Sequence, residues 1–249
     1  MTDFLDPSGS FFASREIKPS VNYDASSIQK ISSAVANLTC SGLVKTPANL
    51  SIVKRELLEA KTTALKNKIL SRLFSNAALE ILIPKIIEDD PGLFFNDFIV
   101  PASESLTKHG LLNGSINYLS DIPVEFRLTP TPGSGHQKLL DKLQTSDLPG
   151  WFSPSIAGMK YDDILKFVKH MPNIVSLAGF NDGWPIVLQH PRFFLSLCNE
   201  RALWLTGITS ETSGVGFCLQ KNRNGNLSLD RQKFEHIGPN DIHGLIITL

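Results

Sequence analysis

Cysteine is scarce in this chain. Cys40, Cys198 and Cys218 are its three, an odd number without a C-x-x-C spacing, so neither a disulfide framework nor a thiolate zinc cluster is readable. Long apolar runs are missing as well: no uncharged stretch reaches the roughly 18 residues of a membrane span. The first ten residues carry Asp3 and Asp6 and no apolar run behind a basic start, so no signal peptide is read and a cytoplasmic location is expected. On that expectation the sequons at Asn37, Asn49, Asn113 and Asn226 are incidental. A positive excess is absent too. The 24 Lys and Arg balance 24 Asp and Glu; split at Glu125, the first part holds 12 basic and 14 acidic residues and the rest 12 and 10. Phosphate neutralisation needs a basic surplus, so nucleic acid is not expected as the principal ligand. Zero net charge removes self-repulsion and favours association.

Intact catalytic signatures are the next absence. The chain has no G-x-S-x-G, no Walker A sequence and no H-E-x-x-H. Gly214-Val215-Gly216 lacks the third glycine of a dinucleotide fingerprint and precedes a strand-like segment, which makes it a turn. No cofactor and no metal is expected. A cluster of His190, His236, His243 and Asp241 could gather only through folding, since no helical spacing links them.

What is present is an ordinary globular composition, 42% hydrophobic and 19% charged over 249 residues, enough for one or two domains. Residues 1–23 read as an extended arm, with Pro7, Gly9 and Pro19 and no period, yet with Phe4, Leu5, Phe11 and Phe12. So apolar an arm should dock on this chain or on a partner. Residues 24–128 read as mainly helical. A helix from Asp24 has Ser26 and Gln29 at capping-box spacing, Ile28, Ile31, Val35 and Leu38 in period, and Gly42 as its stop. A longer helix over Leu50 to Phe74 lines Leu58, Leu65, Ile69 and Leu73 along one face. Its basic side, Lys54 to Arg72, reads as a solvated face compensated by Glu80, Glu88, Asp89, Asp90 and Asp97. Asn76 to Ile87, apolar nearly all round, reads as a buried helix ended by Pro84. Asp90 and Pro91 start another, which Pro101 breaks.

Thr129 to His136 reads TPTPGSGH, and residues 129–136 are expected to be a linker. Residues 137–249 then read as an α+β domain. Helices are expected over Gln137–Gln144 and Met159–Met171 around a turn at Pro149-Gly150. Strands follow over Pro185–His190, Phe193–Cys198, Ala202–Thr206, Val215–Lys221, Leu227–Arg231 and Leu245–Leu249, with a hairpin at Asn224-Gly225. Strands in succession favour an antiparallel α+β arrangement over a doubly wound one. The expected class is α+β, a helical N-terminal half followed by a mainly antiparallel α+β C-terminal half.

Two functions compete. One is a non-catalytic adaptor or structural subunit of a larger cytoplasmic protein assembly; a secretion-machine accessory and a virion component both fit. Its expected contact residues are Phe4, Phe11 and Phe12 in the arm and Trp151 and Trp184, each beside a turn, where tryptophan anchors an interface or lids a core. Trp204, amid Leu203 and Leu205, belongs to the core. The other function is a cysteine-dependent hydrolase or transferase. Cys218 follows a glycine-rich stretch; His190 or His243 would hold its thiolate, and Asp182, Asp241 or Asn240 would orient that histidine. Against it, Cys218 between Phe217 and Leu219, and Cys198 after Leu197, also read as small buried hydrophobes.

Overall fold

Capping and punctuation decide where the helices lie. The computed structural model describes residues 30–44, 49–75, 78–85, 88, 90–110, 117–118, 128–199, 201–210 and 214–249. The arm, with Phe4, Leu5, Phe11 and Phe12, lies outside the described residues, as does the Ser26–Gln29 capping box. Helix α1 (Ile31–Ser41) stops at Gly42, whose φ of 81° suits a residue without Cβ. Asn49 caps α2 (Leu50–Leu65), its Oδ1 accepting the N–H groups of Ser51 and Ile52. Asn67 repeats the device for α3 (Lys68–Ser75), accepting from Ile69 and Leu70. That second cap divides the single helix expected over Leu50–Phe74. After Asp90, whose carboxylate accepts the Leu93 N–H, come α4 (Pro91–Phe94), a π-helical turn (Phe95–Ile99) and α5 (Val100–Lys108). Pro101 does not break this run. It sits in the first turn of α5, where a missing N–H costs no helical bond.

The remaining helices are α6 (His136–Leu143), α7 (Tyr161–Lys169), α8 (Phe180–Gln189) and α9 (Pro191–Leu197). Segments Pro185–His190 and Phe193–Cys198, expected as strands, are thus helical. Asp182 caps α8 by accepting the Gly179 N–H, and Pro191 opens α9. Both runs are buried nearly all round, so no periodicity separated helix from strand. The same ambiguity worked in reverse at Asn76–Ile87, which holds strand β1 (Leu79–Ile83). The Pro149-Gly150 dipeptide lies inside a strand instead of at a turn.

The strands after β1 are β2 (Asn117–Tyr118), β3 (Leu128–Pro130), β4 (Leu148–Ala157), β5 (Val175–Leu177), β6 (Leu203–Trp204), β7 (Ile208–Ser210), β8 (Val215–Lys221), β9 (Leu227–Lys233) and β10 (Ile242–Thr248). Among the described residues the main sheet runs β1-β4-β10-β6-β8-β9-β2, with β5 also on β10, and β3 pairs with β7 apart from it. Pairing is antiparallel except for β10 with β6 and β2 with β9. The architecture is α+β. The β8–β9 hairpin turns where expected, with Gly225 at φ 83° and the Asn222 carboxamide accepting from Asn224 and Asn226.

The two halves share one sheet and one core. β1 pairs with β4 from Leu79↔Phe152 to Ile83↔Leu148, and Leu38, Leu57 and Ile81 pack in one cluster with Phe152, Phe193 and Leu245. The expected linker 129–136 is therefore corrected. Thr131, Ser134 and His136 are buried; the Thr131 N–H donates to Gly207 O, the Leu177 N–H to Ser134 O, and the Ser134 hydroxyl to Thr131 O. Its glycines serve close packing: a Cβ on Gly135 would stand 2.6 Å from Val175 O.

Candidate functional site

Strand register brings the expected thiol and one of its histidines onto one face but keeps them apart. His243 lies opposite Trp204, Trp204 opposite Cys218, and Cys218 opposite Asp230. Paired residues share a face, so the four side chains form a row across β10, β6, β8 and β9. Two strand spacings, about 10 Å, separate Cys218 from His243, and the Trp204 indole fills the interval. Each member is committed elsewhere. His243 donates from Nε2 to Met159 O at 2.9 Å, which leaves Nδ1 as the acceptor facing the Thr206 hydroxyl at 3.4 Å. Burial lowers His243 to a pKa of about 4. Burial, with the negative charges of Asp230 and Asp241 nearby, pushes the Cys218 thiol up, and burial lifts Cys198 to about 12. A nucleophilic thiol needs the opposite setting.

Asp241 does not orient an imidazole. Its Oδ1 accepts the Ala202 N–H, and its Oδ2 accepts the Trp204 indole and the Gly238 N–H at 3.0 and 2.8 Å. It ties the β6 strand to the turn before β10. Tyr161 stacks on Phe234 with ring centroids 3.8 Å apart, and together with Trp204 and Cys218 they make a small second core on this face.

His190 and Asp182 lie in other places. All five residues of β1 pair with β4, and in an antiparallel ladder alternate residues turn their backbone groups away from the partner; those of Glu80 and Leu82 face the outer edge. The Gln189 carboxamide accepts the Leu82 N–H at 2.8 Å and donates to Leu82 O at 2.9 Å, as a neighbouring strand would. His190 Nε2 donates to Glu80 O at 2.9 Å, and burial holds that imidazole neutral with a pKa of about 4. These two residues close the edge of the sheet. Asp182 meets His136, which sequence reasoning had placed in the linker. Asp182 Oδ1 stands 3.4 Å from His136 Nε2, an electrostatic contact without hydrogen-bond alignment. Its pKa is raised by burial, opposed by His136 and the Gly179 N–H. A Cβ on Gly179 would stand 2.3 Å from that imidazole nitrogen, so only glycine admits the ring. Nothing in the spacing of His136 and Asp182 announced the pair; the packing of α6 on the loop before α8 creates it.

Neither tryptophan is a surface anchor. Trp184 is fully buried between Phe95 and Phe180. Trp151, in β4, donates its indole N–H to Leu57 O, stacks edge-on with Phe74 and lies beneath the Lys61 ammonium. The turn dipeptides suggested exposure that tertiary packing removed.

Exposed apolar surface gathers instead on α2. Val53, Leu57, Ala60 and Ala64 face inward, while Leu58 is 64% and Leu65 46% exposed on the outer side. The face expected to be buried is thus partly the solvent face. A cleft of about 360 Å³ also opens beside the 130–135 loop, lined by Thr131, Gly133, Lys138, Lys169, Pro172 and Asn173 among others. Among the described residues no His, Cys, Asp and Glu cluster could hold a metal ion, and no helix is long and apolar enough to cross a membrane. The chain matches no family model, no curated protein and no solved structure.

Proposed function

We propose that this protein is a non-catalytic adaptor or structural subunit of a cytoplasmic protein assembly, and that the outer face of α2 is its partner-binding surface. The observation that carries the reading is the pair Leu58 and Leu65, two turns apart on one side of a helix whose other side is fully used by the core. Of the large apolar side chains exposed among the described residues, Ile52, Leu58 and Leu65 all belong to α2, with Leu93 and Leu249 elsewhere. Clustered apolar exposure marks interaction sites where scattered exposure does not. Zero net charge and the diversion of His190, His243, Asp182 and Asp241 into structural bonds point the same way.

A Leu58→Asp, Leu65→Asp double variant tests the reading. Both positions are exposed, so its melting temperature should match the parent. In native extract the parent chain should elute in a complex larger than itself, and the variant as the free chain. A parent that elutes alone removes the subunit reading; a variant that stays in the complex removes α2 as the binding face.

A further inference from the structure

The segment that composition marked as a linker forms one wall of the cleft of about 360 Å³. The other walls are the first turn of α6 and the end of α7 with the chain that leads on to β5. Gly133 and Gly135 take φ of 81° and 75°, and Gly135 stands at the N-cap of α6 with no side chain to cap it. Ser134 Oγ accepts the His136 N–H. The N–H groups of Gln137 and Lys138, next along the first turn, have no acceptor within a helix that starts at His136. Both residues line the cleft.

The charge in the cleft is of one sign. Lys138 and Lys169 line it, and no Asp or Glu does. Lys138 Nζ donates to Asn173 Oδ1 at 3.2 Å, a neutral acceptor that holds the ammonium at the rim without cancelling its charge. The nearest acids along the two helices lie outside the lining. Asp141 accepts the Gln137 carboxamide at 2.8 Å, and Asp162 and Asp163 sit in the first turn of α7, with Asp163 facing Lys166 at 3.8 Å. Thr131 supplies an independent sign of a ligand. This lining residue is 3% exposed and its N–H is spent on Gly207 O, yet its Oγ1 has no hydrogen-bond partner among the described residues. The Tyr161 phenol lies near that hydroxyl without forming an aligned bond. A buried hydroxyl is costly to leave unpaired, and a ligand oxygen would satisfy it.

We propose that this cleft binds a small phosphate monoester, its phosphate on the α6 N-terminus beside Lys138 and Lys169 and its organic body against Pro130, Pro132 and Met171. Two backbone donors, two ammonium groups and a hydroxyl suit a group with several acceptor oxygens and a charge near −2. The apolar walls suit the carbon body of an ester, for which a free inorganic anion has no counterpart. No residue of α2 lines the cleft, so the site stands independently of the partner-binding face.

The experiment follows the amide resonances of the isotope-labelled full chain as phenyl phosphate or inorganic phosphate is added at constant ionic strength. It compares the parent with a Lys138→Gln, Lys169→Gln variant and with Thr131→Val. Both lysines are exposed, so the first variant keeps the fold, and valine keeps the shape of threonine without the hydroxyl. Phenyl phosphate should shift the amides of Gly133, Gly135 and Gln137 saturably, and inorganic phosphate should saturate the same set at higher concentration. The double variant should bind phenyl phosphate about tenfold more weakly, a loss of 1.4 kcal/mol, and Thr131→Val should also weaken it while amides away from the cleft stay in place. No saturable shift in the parent overturns the proposal, as does equal affinity in the double variant. Equal affinity for the two probes overturns the monoester in favour of a free anion. Unchanged affinity in Thr131→Val removes the hydroxyl from the site and overturns the reading that rests on it.

Discussion

His190 and His243 show what burial does to a titrating group when its bonds are to backbone carbonyls. Each spends its Nε2–H on a carbonyl and is lowered from 6.5 to about 4 by loss of water. The folded chain therefore binds fewer protons than the unfolded chain between those values. Stability should be full above about pH 6.5, fall as pH drops through the window, and level off near pH 4. Each histidine contributes a loss of roughly 3 kcal/mol at the bottom of the window. Urea titrations at about pH 7 and about pH 4.5 check this, and a His243→Gln variant should show a shallower dependence. The thiols give a second expectation at this scale. Cys198 and Cys218, both buried with raised pKa values, should alkylate slowly in the native protein and rapidly after denaturation. Fast native labelling of Cys218 that His243→Ala abolishes would restore the thiol as a nucleophile.

At the scale of elements, helix phase and strand edge decide most. α2 was legible in the sequence as a helix but not in its phase. Leucines recur on both sides, Leu58 and Leu65 outward and Leu57 inward, and hydrophobicity alone favoured the larger set. The structure chose the side with Ala60 and Ala64, because small side chains let the helix approach β4 closely while Trp151 reaches across to Leu57 O. Leu57→Ala should accordingly cost about 2–5 kcal/mol, whereas Leu58→Ala should stay within about 0.5 kcal/mol. Equal effects in denaturant unfolding would show the phase to be wrong. β1 makes the parallel point for strands. Gln189→Ala would leave the Leu82 N–H and C=O buried without partners and should destabilise by about 3 kcal/mol. A variant of unchanged stability would mean that water replaces the carboxamide at that edge.

For the whole molecule, the crossing of β1 into a sheet otherwise supplied mostly by later segments has a thermodynamic consequence. The ladder between β1 and β4 and the shared core couple the helical half to the later strands. Calorimetry should give one transition with equal calorimetric and van't Hoff enthalpies. Limited proteolysis should spare 129–136 despite its prolines and glycines, since Thr131, Ser134 and His136 are buried and hydrogen-bonded. Early cleavage there, or two separated transitions, would return the boundary to the place the composition suggested.

Local chemistry by itself determined a good deal. Gly42 ended α1, Asp90 capped α4, Asn224-Gly225 turned the β8–β9 hairpin, and the β-type run over Val215–Lys221 made a strand, because each signal acts within a few residues of itself. The α+β class followed from those same local patterns. Only tertiary structure decided the short apolar runs, where burial on every side erases the period: Leu79–Ile83 became a strand and Phe180–Gln189 a helix. It alone set Trp204 between Cys218 and His243, since register across three strands is written in no one of them. It alone paired His136 with Asp182, and turned Leu58 rather than Leu57 to the surface. These outcomes depend on what lies opposite a residue in space, and the chain settles that only when the segments meet.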